Sequence, residues 1–125
     1  MLSALHAAMA SGVRSGDIAV LCARNSTAAS WLKILSDAGL NATLLKEYDG
    51  TTSDAVKVGT YQRSKGLEFA RVFLPDFDHA VAPRGISEAH ETYLERAELE
   101  RRQLFVAMTR ARDGLGLGTR RPLPR

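Results

Sequence analysis

The chain has 125 residues, which suits one domain with a single core and is too short for two complete domains. Hydrophobic residues make up 45% and charged residues 25%, the proportions of a folded globular domain, so a disordered chain is excluded. The net charge of +3 is too small to indicate a nucleic-acid partner by itself. The apolar runs are far shorter than a bilayer span and no signal-peptide pattern opens the chain, so we expect a cytoplasmic protein with no membrane partner.

Helices and strands alternate along the chain. Apolar spacing predicts helices at 2–9, 26–38 and 92–112, and strands at 18–22, 42–45, 56–60, 70–74 and 115–118. The apolar side of the second helix is expected to comprise Trp31, Leu32, Ile34, Leu35 and Ala38. That of the third is expected to comprise Leu94, Ala97, Leu104, Phe105 and Met108. We predict a polar turn at 49–53, a surface loop at 79–91 and a loose tail. This alternation favours an α/β fold, a mostly parallel sheet with helices on both faces.

Metal and thiol sites are not indicated. Cys22 is the only cysteine and lies in an apolar strand pattern, which is typical of a buried core residue. Asp76, Asp78 and His79 are the nearest approach to a ligand cluster, but a solvated loop explains them better. We therefore predict that this chain binds no metal itself.

Arginine is concentrated towards the end of the chain. From residue 96 onwards there are eight arginines, at 96, 101, 102, 110, 112, 120, 121 and 125, against three acidic residues, Glu98, Glu100 and Asp113. An arginine-rich end of this kind is suited to binding phosphate groups. A solvated helix face followed by a frayed basic tail is the alternative interpretation.

A polar segment, residues 60–69, directly follows the predicted strand 56–60. The carboxyl end of a parallel strand is where α/β folds bind ligands. Lys65 supplies a cation, Gly66 permits close backbone approach, and Glu68 supplies an acceptor for a hydroxyl group. An ordinary turn, in which the glycine ends a helical turn, explains the pattern equally well.

A second segment, residues 100–112, places arginines at both ends of a predicted helix whose middle is apolar. An arginine anchored in this way offers a rigid, permanently charged fork to a phosphate. A solvated helix with one ion pair is the alternative.

Together the two segments resemble motifs of the UvrD/Rep-type superfamily 1 DNA helicases. After Thr60, residues 65–69 read Lys-Gly-Leu-Glu-Phe and resemble motif V. Residues 100–111, with Glu-Arg-Arg, Phe-Val-Ala and Thr-Arg-Ala, resemble motif VI, and Ile-Ala-Val-Leu at 18–21 resembles motif IV. The resemblance implies the second RecA-like motor domain, a P-loop NTPase-like three-layer α/β fold, over residues 1–118, with 119–125 as a loose basic tail.

Site roles follow from this resemblance. Arg110 is implied to be the arginine finger that reaches the γ-phosphate of ATP held by the other motor domain. Glu68 is implied to accept a hydrogen bond from the nucleotide ribose, and Gly66 to let the loop pack against the nucleotide. Arg24 is a further nucleotide-phosphate candidate.

The resemblance also implies a nucleic-acid site. Thr60, Gln62 and Lys65 are expected to contact the backbone of single-stranded DNA. Hydroxyl, amide and ammonium groups suit phosphate contacts that read no bases.

The chain departs from the family pattern in motifs IV and V. Cys22 and Ala23 stand where the family commonly has an adenine-stacking tyrosine followed by an arginine, and Arg24 comes one residue later. Gln62 replaces the usual histidine of motif V. Only ten residues lie between 45 and 56, so the large subdomain that many relatives insert there is absent.

The sequence contains no Gly-x-x-x-x-Gly-Lys-Ser/Thr phosphate loop. ATP and Mg²⁺ are therefore expected to be held mainly by a first RecA-like domain, in cis or in trans, and neither cofactor nor ATP hydrolysis is expected of the isolated chain. A remnant helicase domain that binds nucleic acid or protein without catalysis is the alternative function. The sequence leaves open whether the chain is a fragment, a split gene product or a remnant.

Overall fold

A computed structural model of the chain describes residues 2–48 and 54–118. The polar turn predicted at 49–53 and the basic tail predicted at 119–125 lie outside the described residues. Within them the helices are α1 (Leu2–Ala10), α2 (Asn25–Asp37) and α3 (His90–Met108). The strands are β1 (Ile18–Cys22), β2 (Ala42–Leu44), β3 (Val56–Thr60), β4 (Phe69–Leu74) and β5 (Ala111–Leu117).

The described strands form one sheet in the order β2-β3-β1-β4-β5, and every neighbouring pair is parallel. All five residues of β1, at the centre, are buried, as expected for a strand covered on both faces. Because the strands are parallel, their carboxyl ends meet at one edge of the sheet, here called the carboxyl edge. Their amino ends meet at the opposite, amino edge.

Two apolar cores lie on the two faces of the sheet. On one face Leu5 of α1 and Leu35 of α2 pack in a cluster with Val20 and Val58. On the other face Ala107 of α3 joins a separate cluster that contains β1 and β4 side chains. The predicted α/β sheet covered on both faces is confirmed.

The prediction for the end of the third helix was wrong. The helix ends at Met108, and β5 begins at Ala111, four residues before the predicted strand. Thr109 closes the last turn, since its N–H and its hydroxyl both donate to the Val106 carbonyl, at 3.2 and 2.7 Å. The Arg110 carbonyl then accepts a hydrogen bond from the N–H of Phe69 in β4, and β5 begins at the next residue. No glycine or proline marks this helix end in the sequence.

The expected apolar sides of the helices were also partly wrong. Leu94 and Phe105 on α3 are 46% and 67% exposed, and Ile34 on α2 is 39% exposed. Ala97, which was expected on this side, is fully buried, as is Ala107, and Leu104 and Met108 are partly buried against the core. The small side chains of Ala97 and Ala107 permit close packing of α3, whereas Leu94, Leu99 and Phe105 remain exposed.

The segment before α3, predicted as a surface loop, is fastened to that helix by one side chain. The Arg96 guanidinium donates to Glu88, to Glu100 and to the carbonyls of Ala82 and Pro83, at 2.6–3.2 Å. The hydrogen bond from Arg96 lowers the pKa of Glu88 to about 2. None of the described helices is both long enough and apolar enough to cross a membrane.

Candidate nucleotide and nucleic-acid sites

A cavity of about 660 Å³ opens at the carboxyl edge, where β1 and β3 end. Thr60 is paired with Cys22 there, and the Tyr61 N–H donates to the Cys22 carbonyl at 3.0 Å. The cavity is lined by Ala23, Arg24, Asn25, Thr60, Gln62, Arg63 and Gln103. Three of the predicted site residues, Arg24, Thr60 and Gln62, therefore lie together.

Arg24 is held at this edge by the segment that follows β4. Its Nη1 donates to the His79 carbonyl at 2.9 Å, and the side chain is exposed. The neighbouring Cys22 is fully buried, and burial, with a smaller effect of Asp76, raises its thiol pKa to about 12. The motif IV position of the adenine-stacking tyrosine is thus occupied here by a core residue.

The motif V segment crosses the domain from the carboxyl edge to the amino edge. Thr60 of β3 pairs with Cys22 of β1. Because Val20 of β1 pairs with Phe73 of β4, Cys22 lies level with position 75, which is six residues beyond Phe69, the first residue of β4. Six residues of strand correspond to about 20 Å, at about 3.3 Å per residue. The segment that begins beside Arg24 therefore ends far from it.

Gly66 and Glu68 lie on the part of the segment that approaches the amino edge. Gly66 has a φ of +83° with open space around its α-carbon, so its conformation, and not crowding, favours glycine. Glu68 is exposed and directly precedes β4. Both positions are accessible to a ligand at this edge.

Arg110 lies at the same end, between α3 and the motif V segment. Its Nε donates to the Val106 carbonyl at 3.0 Å, its Nη2 to the Thr109 hydroxyl at 3.0 Å and its Nη1 to the Leu67 carbonyl at 3.4 Å. A guanidinium has about five N–H donors, so others remain for a ligand. The arginine is fixed by the two motif segments together.

The predicted site residues thus form two groups. Arg24, Thr60 and Gln62 lie at the carboxyl edge, whereas Gly66, Glu68 and Arg110 lie towards the amino edge. Lys65, with Gln62, belongs to a depression of about 290 Å³ between the motif V segment and α3, lined by Tyr61, Gln62, Lys65, Leu99, Arg102, Gln103 and Val106. Arg24 is not brought together with the other predicted nucleotide residues.

The sequence reasoning missed several residues that line these surfaces. A third depression, of about 320 Å³, lies beside α2 and is lined by Asn25, Ala28, Ala29, Leu44, Lys46, Val58, Gly59 and Arg63. A signal for three of them was present: Asn25, Lys46 and Arg63 each follow the end of a strand within three residues. Parallel strands place such residues at one edge.

The described residues contain no group of three or more His, Cys, Asp or Glu side chains that could hold a metal ion. The hydroxyl of Tyr61, a buried residue of the motif V segment, has no hydrogen-bond partner among the described residues. Burial raises the pKa of Tyr61, so this side chain stays neutral.

These features define a parallel α/β domain with polar residues at both edges of its sheet. The family described as UvrD-like helicase C-terminal domain matches residues 8–121, nearly the whole chain. The protein therefore belongs to this family, as the motifs indicated.

Two curated relatives match about half of the chain. The "Probable DNA helicase II homolog" of Mycoplasma capricolum is 42% identical over 64 residues, 51% of this chain and 8% of that protein. "ATP-dependent DNA helicase PcrA" of Bacillus subtilis is 38% identical over 72 residues, 58% of this chain and 9% of that protein. The matched regions thus span less than a tenth of either relative.

A solved structure has the same fold. The C-terminal domain of a possible DNA helicase from Lactobacillus plantarum superposes with a TM-score of 0.69 at 19% identity, covering 94% of this chain and 63% of that chain. The expected RecA-like helicase-domain fold is therefore confirmed.

Proposed function

We propose that this chain acts as the second motor domain of an ATP-dependent DNA helicase, with Arg110 as its arginine finger. The observation that carries the proposal is the triple attachment of the Arg110 guanidinium to α3 and the motif V segment. A permanently charged fork fixed in advance stabilises developing negative charge without reorganisation during the reaction. An arginine at this position suits phosphoryl transfer across a cleft between two domains.

Glu68 and Gly66 complete the nucleotide-facing edge in this proposal. Glu68 is exposed and accepts a hydrogen bond from a ribose hydroxyl, and Gly66 leaves space for the nucleotide beside it. The surroundings of Arg110 fit a phosphate, because the described contacts of its guanidinium are to neutral oxygens and not to a carboxylate. ATP and Mg²⁺ supply the phosphoryl-transfer chemistry, held mainly by a first domain with a phosphate loop.

Thr60, Gln62 and Lys65 are proposed to contact the backbone of single-stranded DNA. Gln62 and Lys65 are exposed and line the same depression, and Gln62 also lines the cavity that contains Thr60. Contacts of this kind give affinity without base recognition. Closure of the two domains on ATP would then be accompanied by movement of this surface along the strand.

The test of the finger uses this chain joined to, or mixed with, a first domain that bears the phosphate loop. We expect Arg110→Ala to lower kcat by about 10³-fold or more and to change ATP affinity much less. Arg110→Lys should restore little, since an ammonium group on a flexible stem cannot reproduce the flat fork. Steady-state ATP hydrolysis with DNA present measures both.

Arg112→Ala is the matched control, because Arg112 is exposed and lies 3.5 Å from Asp113. It should have little effect. Equal activity of Arg110→Ala and the unmodified chain would refute the finger and favour a non-catalytic binding module. Mg²⁺-dependent hydrolysis by the isolated chain that is lost in Arg110→Ala would refute the requirement for a first domain.

The DNA contacts are tested by titrating a fluorescent single-stranded oligonucleotide. We expect weak binding that falls steeply with salt and hardly depends on sequence. Salt-insensitive binding, or a preference of more than about tenfold among unrelated sequences, would contradict backbone contacts.

A further inference from the structure

The side chains of Thr109 and Arg110, neighbours in the chain, are hydrogen-bonded to each other at the end of α3. The Arg110 Nη2 donates to the Thr109 hydroxyl at 3.0 Å. The same hydroxyl donates its own hydrogen to the Val106 carbonyl at 2.7 Å. A hydroxyl has one hydrogen, so this oxygen meets the guanidinium as an acceptor only. The bond to a carbonyl three residues back also selects one of the rotamers open to a threonine.

The Thr109 hydroxyl is one of two short contacts of this guanidinium. The other is the Val106 carbonyl, which accepts from Nε at 3.0 Å. The contact of Nη1 with the Leu67 carbonyl is 3.4 Å long, beyond the usual range of about 2.7–3.2 Å, and is correspondingly weak. Without the hydroxyl, only Nε would be held closely. The two Nη groups, which lie farthest from the backbone, would be the least restrained.

The contacts of Arg110 leave part of its fork for a ligand. Each of its three hydrogen bonds uses one of about five N–H donors, so one donor remains on Nη1 and one on Nη2. Two such donors on one plane can bind two phosphate oxygens together. That arrangement requires both Nη groups to be oriented correctly, and Thr109 restrains one of them.

A neutral acceptor suits this restraint better than a carboxylate. A carboxylate beside the guanidinium would offset its positive charge and weaken its attraction for a phosphate. The hydroxyl accepts the hydrogen bond and leaves the charge unchanged. Thr109 is exposed, so water can accept from Nη2 if the hydroxyl is removed, but that water is not held in place by the helix end.

We propose that Thr109 is a positioning residue for Arg110, whose Nη2 it holds in the orientation that meets a phosphate. An orientation fixed before the reaction needs no reorganisation as negative charge develops. This inference rests on the proposed function, because it affects hydrolysis only if Arg110 is the finger. It goes beyond that function by assigning a role to a residue that has no part in it so far.

The first test is a double-mutant cycle in the motor described above, this chain with a first domain that bears the phosphate loop. Thr109→Val removes the hydroxyl but keeps the branched shape and the backbone bonds of the helix end. It should lower kcat by about 10- to 100-fold, the effect of one lost hydrogen bond to a charged group, with little change in the KM for ATP. Thr109→Ser keeps the hydroxyl and should retain most of the activity.

The second half of the cycle separates positioning from a merely structural role. In the Arg110→Ala background, Thr109→Val should cause no further loss of kcat, since no guanidinium remains to be held. An equal loss in both backgrounds, or an unchanged kcat in Thr109→Val, would overturn the positioning role and leave the finger standing. If Arg110→Ala alone has the activity of the unmodified motor, the finger fails and the positioning role fails with it.

The second test uses this chain alone and needs no hydrolysis. NMR of isotope-labelled arginine side chains measures the rate of rotation about the bond from Cζ to Nη2, and the Arg110 signal is identified by its absence in Arg110→Ala. A hydrogen bond at Nη2 slows this rotation. It should therefore be faster in Thr109→Val than in the unmodified chain and unchanged in Thr109→Ser. Equal rates in all three proteins would show that the hydroxyl does not restrain the guanidinium and would overturn the proposal.

Discussion

Gly59 has no room for a side chain, so Gly59→Ala should destabilise the domain. A β-carbon at this position of β3 would lie 2.6 Å from the Leu45 β-carbon and 3.1 Å from its Cδ2. Non-bonded carbons normally approach to about 3.5–4.0 Å, so one of the two segments must move by about 1 Å. Leu45 is only 5% exposed and packs in a core, so it cannot turn away into solvent.

The expected cost is that of overpacking a core, about 1–3 kcal/mol. For a domain of this size each kcal/mol lowers Tm by roughly 4 °C, so Gly59→Ala should lower Tm by about 4–12 °C. Thermal and urea unfolding monitored by circular dichroism measure both quantities. Leu45→Ala should not rescue the variant, because the nearest atom is the β-carbon, which alanine retains.

Gly85→Ala is the matched control. A β-carbon there would meet its nearest neighbour, the Glu88 β-carbon, at an ordinary 3.5 Å, and Gly85 does not require a positive φ. Its stability should change by less than about 0.5 kcal/mol, as for most surface substitutions. Equal Tm values for Gly59→Ala and Gly85→Ala would show that the contact between β3 and Leu45 relaxes freely, which would refute the reasoning.

The pKa of Glu88 is lowered from 4.5 to about 2, so its stabilising contact with Arg96 is present above pH 4.5 and is lost as the pH falls towards 2. Urea unfolding across this range should show a smaller loss of unfolding free energy for Glu88→Gln than for the unmodified chain. Cys22 is fully buried with a thiol pKa of about 12, so at pH 8 it should react with a thiol reagent only as fast as the domain opens. Rapid reaction without unfolding would contradict its burial. Gly66→Ala should lower the free energy of unfolding in urea by about 1–2 kcal/mol because φ is +83°, and Gly66→Asn should lower it less. Equal losses for the two variants would mean that the backbone relaxes at this position.

The central elements of the fold were predictable because their signals are local. The apolar run of β1 and the alternation of β3 give their observed bounds. The end of α3 was not predictable in this way. It depends on the hydrogen bond between Phe69 and the Arg110 carbonyl, residues 41 positions apart, and helical periodicity contains no information on such a contact.

The sequence names candidate site residues, which stay predictions, but it does not give their arrangement. The motifs identified Arg110, and the structure shows it attached to the other motif through the Leu67 carbonyl. The sequence could not place Arg24 and Arg110 at different edges, because this follows from the register of β1 with β4.

The segment from Thr60 to Phe69 is only slightly longer than the distance it must span. Nine residues reach at most about 30–32 Å when fully extended, and the 3₁₀ turn Gln62–Ser64 shortens this length. The segment spans about 20 Å along the strands and two strand spacings, about 10 Å, across the sheet. The two displacements combine to a straight-line distance of about 22 Å, which leaves a few ångströms unused. We predict that a larger displacement of Gln62 at one edge would shift the Leu67 carbonyl, which accepts a hydrogen bond from Arg110, at the other.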